Sequence, residues 1–161
     1  MAQKNNLLTF PAKRNFNCFQ LKTFLIYSLL FCLLVPLCFF QFFVYGKSFC
    51  SGDGITEHTA FLAFYGEWLR TIAYNFIHGK FIVPTFSFSL GFGADIISSL
   101  TWFCIGDPLN LLSIFVPKNG TYILFVFLAV LRFYLSGISF IFYCNTHKFQ
   151  KNIIPFGAIS Y

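Results

Sequence analysis

The stretch Ser51–His78, SGDGITEHTAFLAFYGEWLRTIAYNFIH, holds Asp53, Glu57 and Glu67, three of the five carboxylates in the chain, together with His58 and Arg70. Lys80 follows two residues later, and Arg132 lies farther along. Asp53 is carried by a Gly-Asp-Gly turn. An ionised carboxylate on such a turn can take a proton from a hydroxyl as a general base, or hold a divalent metal such as Mg or Mn. Glu57 is the second candidate for the same work. Glu57 and His58 fall on the first turn of the helix that follows, within reach of Asp53, where either tunes it, acts as a ligand or is simply solvated, and His58 is also a candidate to bind the substrate phosphate. Arg70, Lys80 and Arg132 are the cations available to face a phosphate. Asp53 also has a purely structural reading, because Asp is favoured in turns and at helix starts.

Two apolar segments bracket this stretch and must position it. The chain is 57% hydrophobic and 10% charged, whereas a soluble domain carries roughly 25% charge. That places it in the membrane class. Residues 1–22 form a basic tail with Lys4, Lys13, Arg14 and Lys22 and no acid. Residues 23–45 carry no charge and, at about 1.5 Å per residue, reach roughly 34 Å, enough for a hydrocarbon core of about 30 Å. Pro36 is expected to kink this span, and its length favours an anchor over a cleaved signal. Residues 46–120 hold all five acids and four bases, a net −1 against +4 for the tail. The bias of Lys and Arg therefore puts the N-terminus in the cytoplasm and residues 46–120 outside the plasma membrane. Residues 121–144 form the second span, and 145–161 return to the cytoplasm and begin an apolar stretch that reads as the start of a third.

The positive charges flank spans rather than forming a soluble patch, which excludes nucleic acid as a partner. The six cysteines show no C-x-x-C spacing. Cys50 and Cys104 are the pair that could share an oxidising compartment, and two unpaired small hydrophobes are the simpler expectation.

Within the loop, Phe61, Tyr65, Trp68, Leu69, Ile72 and Phe76 recur at helical spacing, with Glu67, Arg70, Tyr74 and His78 opposite. Such an aromatic helix suits the membrane interface, or packs its apolar face on other helices. Residues 79–93 read as an irregular loop near the membrane surface. Residues 95–105 read as a short helix. Gly106-Asp107-Pro108 stops it and starts another, Asp107 as N-cap and Pro108 at the first helical position. A broken interfacial pair is preferred over a span across 96–115, which would bury Asp107. Lys118-Asn119-Gly120 makes a tight turn. Arg132 lies near the middle of the second span, where a charge marks a functional site or a structural pair with an acid on a helix beyond this chain.

The motifs GDGITEHTAFLAFYGEWLR, FSFSLGFGADIISSLTWFCIGDPLNLLSIFVP and LRFYLSGISFIFY resemble the N-terminal part of the bacterial YfhO-type membrane proteins, over about residues 22–158. The resemblance implies an all-α, GT-C-like polytopic glycosyltransferase. Its donor is a sugar on a polyprenyl phosphate, and its acceptor is a cell-envelope polymer such as teichoic or lipoteichoic acid. Asp53 matches the acidic position of the first outer loop in that pattern, and Arg132 matches a basic position in the second span. Family members are several times longer, so this chain alone is expected to be an inactive N-terminal portion. The other readings are a non-catalytic membrane anchor or interaction module, and a transporter subunit with Arg132 lining a path.

Overall fold

A computed structural model describes residues 18–45, 52–147, 149 and 153–160. The chain is an all-α membrane protein with one very short hairpin. Among the described residues, two helices are long and apolar enough to cross a membrane, at Leu21–Cys38 and Lys118–Thr146.

In chain order, α1 spans Cys18–Cys38 and α2 Phe40–Tyr45. A π-helical turn, Gly54–His58, leads into α3, Thr59–Ile77. Strands β1, Phe86–Ser87, and β2, Ala94–Asp95, pair antiparallel, Phe86 opposite Asp95 and Ser87 opposite Ala94. Next come α4, Ile96–Leu100, a π-helical turn, Thr101–Ile105, and a 3-10 helix, Pro108–Phe115. A 3-10 turn, Lys118–Gly120, opens α5, Thr121–Thr146, and α6 is Ile154–Ser160.

The expected single first span ends at Cys38 and restarts at Phe40. Pro36, which lacks the N–H that would bond the carbonyl four residues back, lies inside α1, and the turn at residue 39 separates α1 from α2. The expected irregular loop over 79–93 contains an ordered turn. Gly91 and Gly93 sit at φ +58° and +111°, the left-handed region that suits glycine. A Cβ on Gly93 would lie 2.9 Å from the Phe86 ring. Trp68 Nε1 donates to the Pro84 carbonyl (2.8 Å), Asn75 Nδ2 to the Ile82 carbonyl (3.0 Å), and the Ile96 amide to the Thr85 carbonyl (2.7 Å). These bonds tie the loop to α3 and α4.

The chain divides into two compact units. In the unit of residues 36–135, Leu62 and Tyr65 of α3 pack with Ile96, Leu100, Cys104, Leu124 and Leu128. Phe61, Trp68 and Leu69 lie against that cluster. The apolar face of α3 is therefore packed on protein from Phe61 to Leu69, whereas Phe76 farther along is exposed. The same helix lies against the 3-10 helix at Gly66, where a Cβ would come within 2.6 Å of the Ser113 carbonyl oxygen. Ser113 is buried, and its hydroxyl finds no hydrogen-bond partner among the described residues. A small side chain is what the close approach to Gly66 admits.

In the unit of residues 1–35 and 136–161, the ring of Tyr27 on α1 is buried over Gly137 of α5, and any Cβ there would overlap the ring and its hydroxyl. Close backbone approach at a small residue is how apolar helices associate without water to drive them. Ile141 and Cys144 of α5 and Ile154, Pro155 and Ala158 of α6 are also buried.

Candidate functional site

Gly52, at φ +56°, turns the chain before Asp53. The Thr56 amide and hydroxyl both donate to the Gly52 carbonyl at 3.1 Å, and the Thr59 amide donates to the Gly54 carbonyl five residues back, which closes the wide turn. Wide π turns recur at functional sites. Asp53 stands at the N-cap of this turn, exposed, and its carboxylate makes no capping bond.

The other aspartates behave differently. Asp95 Oδ1 accepts from the Ser98 amide at 2.7 Å and caps α4. That bond holds its carboxyl below the usual carboxylate range. Asp107 Oδ1 accepts from the Leu109 amide at 2.8 Å, with Pro108 at the first helical position, as the sequence leads one to expect. The structural role open to Asp53 at the sequence level is thus filled at two other aspartates and not at Asp53.

Glu57 is exposed on the same turn. His58 is exposed too, but its ring sits edge-on to Phe103 (centroids 5.4 Å apart) and stacks toward Phe125 (6.3 Å). Lys80 is exposed, and its backbone amide closes the end of α3 on the Asn75 carbonyl at 2.8 Å.

Arg70 is half-buried. Its Nη1 donates to the carbonyls of Ser113 (3.0 Å), Ile114 (3.2 Å) and Val116 (2.8 Å). The Ser113 carbonyl also accepts from the Val116 amide at 3.3 Å, and those of Ile114 and Val116 are carbonyls a helix end leaves over, so Arg70 closes the C-terminal end of the 3-10 helix. The helical pattern placed it on the polar side of α3. The structure turns it inward to the segment that Gly66 also touches.

Arg132 finds its acid within the chain, and the expectation of a partner on some further helix is corrected. Its Nε donates to Asp107 Oδ2 at 2.7 Å, and its Nη2 donates to Asn110 Oδ1 at 2.8 Å. Asn110, nearly fully buried, in turn donates to the Cys104 carbonyl at 3.1 Å. Asn110 escaped the sequence reading, although the run Asp107-Pro108-Leu109-Asn110 carried a usable signal. Two polar residues three apart share a side of a 3-10 helix, here the side that Arg132 meets.

Among the described residues no hydrogen bond or ion pair joins Asp53 to Arg132, Arg70 or Lys80. Nor does any group of three or more His, Cys, Asp and Glu side chains converge among them as a metal cluster. A Mg-type site can rest on one or two carboxylates and substrate phosphates, and Asp53 supplies one carboxylate, with Glu57 on the same turn. No metal step is derived. Of the two remaining cysteine expectations, Cys104 is free and buried, and Cys50 lies outside the described residues.

A family model described as bacterial membrane protein YfhO matches residues 22–161. No curated protein and no solved structure matches the chain.

Proposed function

The chain belongs to the bacterial membrane protein YfhO family, and from that premise we propose that it is the N-terminal part of a glycosyltransferase that uses a polyprenyl-phosphate-linked sugar. The acceptor is a hydroxyl of a cell-envelope polymer such as teichoic acid. The residues 46–120 face the outside of the plasma membrane, between spans at 23–45 and 121–144, with the N-terminus in the cytoplasm. The observation that carries the reading is the Asp53 carboxylate, exposed and free of a capping bond.

Asp53 takes the proton of the acceptor hydroxyl as that oxygen attacks the anomeric carbon. The bond from the anomeric carbon to the phosphate oxygen breaks, and polyprenyl phosphate leaves with the electron pair. A phosphate is already a good leaving group, so no second carboxylate is needed to protonate it. Charge on the departing phosphate is met by Lys80 or by guanidinium donors of Arg132 beyond the two bonds it makes. Glu57 is the alternative base.

The test is Asp53→Asn in the gene as it stands in the genome, with envelope sugar decoration measured at matched protein level. Loss of decoration is expected. Decoration at the wild-type level would remove Asp53 from the mechanism. Membrane-impermeant labelling of a cysteine placed at position 53 in intact cells tests the orientation, and protection from the reagent overturns it.

A second reading, a non-catalytic membrane module, is favoured by one observation. Arg132 closes on Asp107 and Asn110 of its own chain and so has a structural role complete in itself.

A further inference from the structure

A cavity of about 590 Å³ opens between α3 and the β1–β2 turn, apart from the Asp53 turn. Small-molecule sites span roughly 300–1,000 Å³. Phe61, Phe64 and Glu67 line it from one face of α3, Leu90 and Ser99 from across, and Lys118 from the turn before α5. The walls are set firmly. Phe61 is stacked on Phe103 with centroids 4.2 Å apart and planes 5° from parallel, and Phe64 and Leu90 pack against the core cluster. The Gly93 amide closes the turn on the Leu90 carbonyl at 3.0 Å.

Two opposite charges therefore share one cavity with aromatic walls. Glu67 and Lys118 form no ion pair with each other, and neither side chain has a hydrogen-bond partner among the described residues. An anion alone would meet Lys118 but be repelled by Glu67, and a cation alone would meet the reverse. A ligand carrying both signs satisfies both. The two Phe rings add attraction for an ammonium group, and a lysine ammonium is a natural point-charge partner for phosphate. Phe88 and Phe92, both strongly exposed, flank the Ser89–Gly91 turn that lines the cavity. They give an attached acyl chain an apolar surface at that wall.

We propose that this cavity binds a zwitterionic aminoalkyl phosphate, the head of a lipid such as phosphatidylethanolamine, with the ammonium against Glu67 and the phosphate against Lys118. The site is independent of the transfer reading and of Asp53.

The chain, purified in detergent micelles, is exchanged with vesicles of phosphatidylethanolamine or of phosphatidylglycerol, and retained lipid is counted by native mass spectrometry. Soluble phosphoethanolamine and a hexose 1-phosphate are titrated in parallel. Phosphatidylethanolamine is expected to be retained about tenfold over phosphatidylglycerol, the factor that one charge-assisted hydrogen bond supplies. Glu67→Gln abolishes that preference, Lys118→Gln lowers retention of both lipids, and Asp53→Asn leaves both retention and preference intact. The exchanged pair Glu67→Lys with Lys118→Glu restores retention that either exchange alone loses, which separates recognition from misfolding. Glu67-dependent binding of soluble phosphoethanolamine with equal strength supports the site and names a soluble source. Equal retention of phosphatidylglycerol, equal binding of the hexose phosphate, or indifference to Glu67→Gln overturns the proposal.

Discussion

Arg132 Nε lies 2.7 Å from Asp107 Oδ2, so the central charge of α5 is neutralised by the residue that caps the 3-10 helix. One carboxylate thus serves a helix start through Oδ1 and a guanidinium through Oδ2. Asp107→Asn and Arg132→Met are each expected to destabilise the chain by about 1–3 kcal/mol, a range reduced from that of a fully buried pair because both side chains are about a third exposed. The double variant should cost less than the sum. Tryptophan-fluorescence unfolding in micelles measures the cycle, and strict additivity would deny the coupling. Arg132→Lys should not restore stability, since a single ammonium cannot reproduce the two-point grip on Asp107 and Asn110.

Arg70 and Gly66 hold the same segment from α3, one by hydrogen bonds and one by absence of a side chain. Arg70→Met takes the guanidinium from three carbonyls, of which Ser113 keeps the Val116 amide, and should cost about 2–4 kcal/mol, given about 1.5–3 kcal/mol for a charged bond and incomplete additivity. Gly66→Ala forces its methyl group against the Ser113 backbone and should cost about 1–3 kcal/mol. Both are read from the same unfolding curves. In each variant, hydrogen exchange should quicken over 108–116 before it quickens in α5.

Acid should loosen the start of α4. The Asp95 carboxyl is lowered from 3.8 by its bond to the Ser98 amide. A lowered carboxylate stabilises the fold above its unfolded value and loses that contribution as pH falls through the folded one. Protection of the Ser98 amide, its exchange measured against the intrinsic rate at the same pH, should therefore hold at neutral pH and fall only below about pH 3.8. Asp95→Asn should flatten that dependence, because asparagine still caps but does not titrate.

Burial pushes the Cys104 thiol up to about 12. At pH 8 it is protonated and enclosed, so iodoacetamide should leave it unmodified in the folded chain and alkylate it after denaturation. Because the unfolded thiol ionises near 9.0, the fold should lose stability as pH climbs above that value. Peptide mass spectrometry at Cys104 and an alkaline unfolding series measure the two effects. Rapid native alkylation would contradict its place in the core.

Much of the architecture was legible because it follows from local rules. An uncharged run over 23–45 and an apolar run over 121–144, broken by Arg132 alone, announce helices long enough for a bilayer. Asp107-Pro108 announces a helix start, and the spacing from Phe61 to Leu69 announces the face that packs. The destinations of the cations were not legible. Arg70 and Arg132 both look like free charges in one dimension. Their partners lie 43–46 and 22–25 residues away in the chain, and three of those of Arg70 are backbone carbonyls, which no side-chain pattern reports. The hairpin over 86–95 was hidden because each strand has two residues, too short for alternation to show. Of the candidate site, the exposed turn at Asp53 was foreseeable from its flanking glycines. The lack of a capping bond there was not, since the same residues could equally have made one.

Phe92 projects from its turn with 106% of its reference surface exposed. Hiding a phenyl ring from water is worth about 1.5–3 kcal/mol, and here no neighbour hides it. Stripped of amphiphiles, such a chain would hide that ring in another copy of itself. Particles that form on detergent dilution should therefore dissolve with Phe92→Ser, and their size would record the solvent rather than a stoichiometry chosen by the cell.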